Sequence, residues 1–114
     1  MTVAETPLFV RKAEKLLDEE ERAVLIATIA QDPEAGEIMP GTGGVRKLRW
    51  SLGGRGKSGG ARVIYYFHSD RMPVVLLSIF AKNVKVNFSQ AERNELRTLI
   101  PELVREFMKK GRRP

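Results

Sequence analysis

The sequence predicts a small α+β domain, with an N-terminal helical hairpin packed on an antiparallel β-sheet and a C-terminal helix. Three observations support this fold class. Apolar residues recur at helical spacing in the first third, three strand-like runs with short connections fill the middle, and helical spacing returns after residue 89. The 114 residues are enough for one domain, so we expect residues 1–114 to form a single unit.

Two helices are predicted before residue 33. Thr6-Pro7 suits the N-cap and first position of a helix. Asp18 with Glu21 three residues later forms a capping-box pattern at the start of the second helix. Asp32-Pro33 should end that helix, because the residue before proline is disfavoured in the helical region. A short strand is also predicted at residues 3–5.

Three strands and a last helix should follow. The strand-like runs are Val45–Leu52, Ala61–His68 and Pro73–Phe80. Short connections between them favour antiparallel pairing. Ser89 with Glu92 forms a second capping-box pattern, and the helix that it opens should break or kink at Pro101.

Composition excludes several classes of site. The absence of cysteine excludes disulfides, thiolate nucleophiles and cysteine-bound metals, and the single histidine excludes a multi-histidine metal site. No apolar run approaches the roughly 18 residues needed to span a bilayer, and the first residues do not resemble a signal peptide. We therefore expect a cytoplasmic protein with no metal or cofactor, and we interpret His68 as a surface residue.

The charge is unevenly distributed along the chain. The net charge is +6, but residues 1–40 carry −5, residues 41–88 carry +8 and residues 89–114 carry +3. The central block contains nine basic residues and one acid, Asp70. A block of this kind indicates a polyanionic partner. The alternative is a solvated basic surface with no partner.

A glycine-rich segment lies inside the cationic block. Residues 54–59 satisfy the letters of a dinucleotide-binding motif and nearly those of a phosphate-binding loop. Both motifs require a helix directly afterwards, whereas a strand is predicted here. We therefore interpret the segment as a hairpin loop whose Arg55 and Lys57 could reach a phosphate.

Strand alternation places cations on one face of the predicted sheet. In the first long strand, Lys47 and Arg49 lie opposite Leu48 and Trp50. If helices cover the apolar face, cations and an aromatic ring remain on an open face, which suits RNA phosphates and bases. We expect that open face to carry Lys47, Arg49, Arg62 and Tyr66, with Lys82 and Lys85 at its rim.

The segments 46–50, 60–65 and 78–83, together with the terminal helix, resemble the RelE/HigB family of bacterial type II toxins. The basic strand followed by Gly-x-Arg-Val-Ile-Tyr is the most specific part, and residues 41–50 with the glycine loop are most similar to the HigB-type branch. The resemblance implies a RelE-like fold. It also implies a ribonuclease that cuts mRNA in the ribosomal A site and is neutralised by a cognate antitoxin.

The resemblance also implies site residues. The family's basic strand positions fall on Lys47 and Arg49, and its later arginine falls on Arg62. Lys82 stands where the family has another arginine, and Phe88 stands near a family tyrosine. We therefore predict a catalytic set of Lys47, Arg49, Arg62 and Lys82, and RNA contacts from Arg46, Arg55, Lys57, Tyr66, Lys85 and Phe88.

The residues make this chemistry physically reasonable. RNA supplies the nucleophile, its 2′-hydroxyl, and clustered cations stabilise the charge that develops on the phosphate. Arg62 can clamp two phosphate oxygens with its planar fork. Lys47 is the candidate general base, since neighbouring cations disfavour its charged form. Two alternatives remain: a gyrase-directed toxin of the ParE type, and a nucleic-acid-binding module that cuts nothing.

Overall fold

The computed structural model describes residues 1–51, 60–84 and 87–111. Its helices and strands, in chain order, are β1 (Val3–Glu5), α1 (Pro7–Leu16), α2 (Glu19–Gln31), β2 (Glu37–Ile38), β3 (Val45–Ser51), β4 (Gly60–Tyr66), β5 (Val74–Ala81) and α3 (Gln90–Gly111). The strands form one sheet in the order β1-β5-β4-β3-β2. The predicted α+β fold class is confirmed, with the helical hairpin, the sheet and the C-terminal helix in their expected order.

The sheet is mixed rather than wholly antiparallel. Strands β2 to β5 pair antiparallel, but β1 pairs with β5 in parallel. Thr6 fixes this junction, since its hydroxyl donates to Leu76 O at 2.9 Å while it caps α1 by accepting from Phe9 N at 3.2 Å. The segment from α1 to β4 lies between β1 and β5 in the chain, and it provides the long connection that two parallel strands require. The short loop near residue 70 connects β4 to β5, so its length predicts only the antiparallel pairing of those two strands. It gives no information about β1, which is distant from β5 in the sequence.

The helix termini follow the predicted capping signals. Thr6 is the N-cap of α1, and Asp18 and Glu21 form the reciprocal capping box of α2. Helix α2 ends at Gln31 with Asp32 as its C-cap. Helix α3 instead continues through Pro101, so the expected break does not occur. Buried Ile100 anchors the helix to the sheet directly before the proline.

Helices pack on both faces of the sheet, α1 and α2 on one face and α3 on part of the other. On the α1–α2 face, buried Val63 and Tyr65 of β4 pack against Phe9 and Leu25. On the α3 face, a second buried cluster joins the sheet to Ile100 and its neighbours; its members are Met39, Val45, Ile64, Tyr66, Met72, Val75, Leu77 and Ile100. Among the described residues, none of the helices combines the length and the apolar composition of a membrane-spanning segment.

The expectation that Tyr66 projects from an open face is wrong. Its side chain is only 7% exposed, because α3 covers this half of the sheet. Burial raises the pKa of its phenol above the usual value. A buried ring offers no surface for a base to stack on, so we do not include Tyr66 in the candidate site.

A two-residue strand, β2, was missed because Glu37 and Ile38 lack a strand pattern of their own. It is held by residues around it. Gly36 N donates to the Tyr65 hydroxyl at 2.8 Å, and that hydroxyl donates to Pro33 O at 2.8 Å. A side chain at Gly36 would lie 2.8 Å from Lys47 O and 2.9 Å from the Tyr65 ring, so only glycine fits. This packing sets β2 against β3.

Candidate active site

Three of the four predicted catalytic residues lie together on the α3 face. Arg49 and Arg62 are directly opposite each other on β3 and β4, and Lys47 lies two residues along β3 on the same face. They line a pocket of about 400 Å³, whose other lining residues are Ala35, Glu37 and Leu48. The structure therefore brings the basic strand and the arginine of β4 into one site.

The position of these cations is unfavourable for stability. Directly opposed residues in a sheet are about 5 Å apart at Cβ, so two like charges there repel each other. None of the side chains of Lys47, Arg49 and Arg62 has a hydrogen bond or salt bridge to another described residue. Helix α3 covers the half of this face around Tyr66 and leaves the cations accessible. Such an arrangement is typical of an anion-binding site rather than of a structural charge network.

Arg62 is the most constrained of the three. It is half-buried, and its Nε is buried without a hydrogen-bond partner among the described residues. Its cross-strand neighbour on β5 is Phe80, and it borders a narrow crevice that Lys47 and Phe88 also line. A buried donor without a partner is unfavourable, and a bound phosphate oxygen would supply the missing acceptor.

The sequence analysis missed a carboxylate at this site. Glu37 of β2 is directly opposite Lys47 of β3, and it is the one carboxylate among the described residues lining the pocket. A two-residue strand has no alternating pattern to reveal it, so no sequence signal placed Glu37 beside the cations. It supplies a proton acceptor where the sequence suggested only cations.

Arg93, in the first turn of α3, is a second residue at the site that the sequence did not predict. Its Nη1 donates to Pro40 O at 2.6 Å, and its Nε donates to Phe88 O at 3.2 Å. It lines the same narrow crevice as Lys47 and Arg62. Arg93 thus ties together the two backbone segments that flank the crevice and adds a further positive charge to it.

Two phenylalanines and a lysine form the wall of the site beside Arg62. Phe80 and Phe88 meet edge to face with their ring centroids 6.0 Å apart. Lys12 of α1 reaches the same ring, with Nζ 3.5 Å from the Phe80 centroid and 3.2 Å from Ser78 Oγ. Lys12 was not predicted here, since α1 packs against the other face.

The remaining predicted residues are more dispersed. Lys82 is exposed in the turn after β5, where its N–H donates to Gly60 O at 2.9 Å, and it lines neither the pocket nor the crevice. Arg46 lies on the opposite face from Lys47, and its Nη1 donates to Gly36 O at 2.7 Å. It therefore holds the segment before β2. Arg55, Lys57 and Lys85 lie outside the described residues.

The described residues contain no group of three or more histidine, aspartate or glutamate side chains that could hold a metal ion. The pocket presents two guanidinium groups and an ammonium to an anion and one carboxylate to a proton, and the rings of Phe80 and Phe88 line the neighbouring crevice.

A family model described as the RelE toxin of the RelE/RelB toxin–antitoxin system matches residues 1–110. The chain belongs to the RelE toxin family. It is therefore a toxin of a toxin–antitoxin system, and toxins of this family are generally ribonucleases that cleave mRNA. An antitoxin is the kind of partner that the family implies.

Proposed function

We propose that this RelE-family toxin is a ribosome-dependent endoribonuclease that cuts mRNA in the pocket of Lys47, Arg49 and Arg62. The observation that carries the proposal is the convergence of these three cations without partners among the described residues, together with the buried Nε of Arg62. A phosphodiester satisfies both features. It supplies negative charge for the cluster and an acceptor for the guanidinium.

The reaction would use the RNA's own 2′-hydroxyl. Its oxygen attacks the adjacent phosphorus, the bond from phosphorus to the 5′-oxygen breaks, and the products are a 2′,3′-cyclic phosphate and a 5′-hydroxyl end. Arg62 and Arg49 would hold the non-bridging oxygens, whose charge grows in the transition state. The step needs no external nucleophile and no cofactor.

Two neighbouring groups would move the protons. The Glu37 carboxylate can accept the proton of the 2′-hydroxyl, and the Lys47 ammonium can donate one to the leaving 5′-oxygen. Their cross-strand pairing makes the two residues neighbours along the pocket. Their carboxylate and ammonium groups would reach the phosphate from opposite sides, since the entering and leaving oxygens lie in line through phosphorus. This assignment revises the sequence-based role of Lys47 from general base to general acid, since the structure supplies a carboxylate beside it.

We infer ribosome dependence because the pocket provides few groups for acid–base catalysis. Its described walls contain one carboxylate and no histidine. The alignment of the 2′-oxygen, phosphorus and leaving oxygen must then come from a partner that orders the RNA, and such ordering contributes several kcal/mol to catalysis. Phe88, half-buried beside Phe80, would stack on a base at the crevice.

We also propose that the protein acts in the cytoplasm, where mRNA and ribosomes are found, and that it belongs to the HigB-like branch. Residues 41–50 support the branch: Gly-Thr-Gly-Gly followed by the basic strand. Within that segment, Gly43 has φ of +81° and would place a Cβ 3.6 Å from Arg97 Cα of α3. The motif thus fits the turn between β2 and β3, which packs against α3.

The test compares Arg62→Ala with the wild type on translating ribosomes. Loss of a charge-assisted contact made in the transition state should lower the cleavage rate about a hundredfold. Arg71→Ala is the matched control, because it removes the same charge from an exposed turn at the other end of β4. Both variants should melt near the wild-type temperature, since neither side chain fills the core.

Two results would contradict the proposal. If the Arg62→Ala variant cuts mRNA at near wild-type rate, the active site does not lie in this pocket. Efficient cutting of ribosome-free mRNA at low protein concentration would contradict ribosome dependence. A parallel assay with gyrase and supercoiled DNA tests the alternative: gyrase inhibition with no message cleavage would identify a gyrase-directed toxin instead.

A further inference from the structure

We propose that the groove between α3 and the Phe80–Phe88 pair binds a segment of the antitoxin that carries basic side chains beside apolar anchors. The groove has a volume of about 770 Å³. It is larger than the cationic pocket, and Phe80 and Phe88 line both this groove and the narrow crevice beside Arg62. The inference rests on membership of the toxin family and not on the cleavage chemistry proposed above.

The groove has an apolar floor. Phe80 and Phe88 form one end, and Leu96 and Leu99 of α3 continue it. Leu99 is 41% exposed, although the spacing of three between it and Leu96 keeps both on one side of the helix. An exposed leucine between other apolar groups in a concave surface is typical of a binding groove rather than of a scattered surface residue.

The rim of the groove is acidic. Glu92, Glu95 and Glu102 line it, and no lysine or arginine is among its lining residues in the part of the chain that the structure describes. Glu92 already caps α3 by accepting from Ser89 N at 2.8 Å, so Glu95 and Glu102 are the carboxylates placed to meet a partner. In a protein of net charge +6, this groove has the opposite sign to the cationic pocket.

Charge decides the class of partner. RNA would bring its phosphates close to these carboxylates, and like charges brought together at an interface are unfavourable. A peptide with lysine or arginine flanking apolar side chains satisfies both the rim and the floor. The antitoxin is the protein partner that the family implies, so we assign the groove to one of its segments.

The dimensions fit a short segment. Glu92 and Glu102 are ten residues apart on α3, which corresponds to about 15 Å along the helix axis. A partner helix of about three turns, with apolar residues three and four apart, would fill this length. The charge imbalance of the sequence predicts an acidic or amphipathic antitoxin segment over part of the cationic surface. The groove requires a second segment of opposite charge.

The experiment uses the toxin together with the protein encoded by the adjacent reading frame. Two groove variants are compared with wild type: Leu99→Gln, and Glu95→Lys combined with Glu102→Lys. We expect affinity for the adjacent protein to fall about tenfold for the first and on the order of a hundredfold for the second. In cells, the double variant should arrest growth even when the antitoxin is co-expressed.

Matched controls exist elsewhere on the surface. Leu8 of α1 is 44% exposed, close to the value for Leu99, so Leu8→Gln is the control for loss of an exposed leucine. Glu14→Lys reverses an exposed charge outside the groove. Growth arrest without antitoxin should be unchanged in all groove and control variants, since none of these residues lines the cationic pocket. A charge-reversing substitution in the antitoxin segment should restore binding to the double variant.

Binding is measured directly, so a toxin that cuts no RNA would still test the groove. Affinity and neutralisation equal to those of the controls would overturn the proposal. A changed pattern of mRNA cleavage sites with unchanged antitoxin binding would also overturn it and would assign the groove to a nucleotide. Loss of cleavage in Arg62→Ala has no bearing on this outcome.

Discussion

The two faces of β4 differ in what surrounds adjacent residues. Val63 is fully buried against α1 and α2, whereas Arg62, one residue earlier, borders an accessible pocket on the other face. The α1–α2 face is closed around Val63, and Leu48 and Trp50 of β3 are partly buried on the same face. The α3 face is closed around Tyr66 and accessible around Arg62, because α3 covers only part of it. A single strand therefore serves the core with one set of residues and the site with the other.

The largest expected effect is on the closed face. Phe9→Ala removes a fully buried ring and should lower the free energy of unfolding by about 3–5 kcal/mol, because the cavity that it leaves cannot collapse fully. Urea or thermal unfolding measures this change. Leu8→Ala, an exposed neighbour on the same helix, should stay within about 0.5 kcal/mol. Equal losses for both variants would contradict the closed core.

The accessible face should show the opposite behaviour. Arg62→Ala and Arg49→Ala should each remove about 3 kcal/mol of transition-state stabilisation and so lower the cleavage rate. The double variant should lose less activity than the product of the two single fold-losses, since the two cations act on one phosphate. Each single variant should also raise the free energy of unfolding by about 0.2–1 kcal/mol, because it relieves their repulsion. Fully additive rate effects, or a clear loss of stability, would argue against a shared phosphate.

A smaller effect is expected at Tyr65. Tyr65→Phe leaves Gly36 N and Pro33 O without the hydroxyl that joins them, which should lower the free energy of unfolding by about 1–2 kcal/mol. Tyr66→Phe is the control, since no hydrogen bond of its hydroxyl is seen among the described residues. If both tyrosine variants unfold alike, the hydroxyl of Tyr65 does not anchor β2.

The smallest effect concerns alkaline pH. Burial raises the pKa of Tyr65 above its usual value of 10.0, with the Gly36 hydrogen bond and Arg46 acting in the opposite direction. The unfolded chain then loses the tyrosine proton more readily than the folded one. The contribution of Tyr65 to the free energy of unfolding should therefore be constant well below pH 10 and decrease as the pH rises through and above it. Urea midpoints between pH 8 and pH 11 measure this fall. Tyr65→Phe should show a shallower decline than wild type, and an identical one would show that Tyr65 does not contribute to it.

Local signals in the sequence predicted most of the fold. Thr6-Pro7 and the Asp18–Glu21 box gave the helix starts correctly, and alternation in β3 placed Lys47 and Arg49 on one face. These features depend on neighbours a few residues away. Tyr66 was assigned to solvent because alternation gives the face of a residue but not whether a distant helix covers that face.

The site was predicted only where the long strands β3 and β4 carry it. Glu37 and Arg93 reach the cations through contacts between distant segments, and neither has a pattern of its own in the sequence. Lys12 reaches Phe80 from a helix that packs mainly on the other face. Such residues are brought together by the order of the strands and by the path of α3, which no short window of sequence specifies.

The parallel pair of β1 and β5 sets the order in which the molecule can be completed during its own synthesis. Thr6 and its acceptor Leu76 are 70 residues apart, so β1 has no strand partner until most of the chain has left the ribosome. The crevice beside Arg62 can form only later, because Arg93, which lines it, is translated after β5. A ribosome making this toxin therefore translates past residue 93 before the chain can present a complete cationic site.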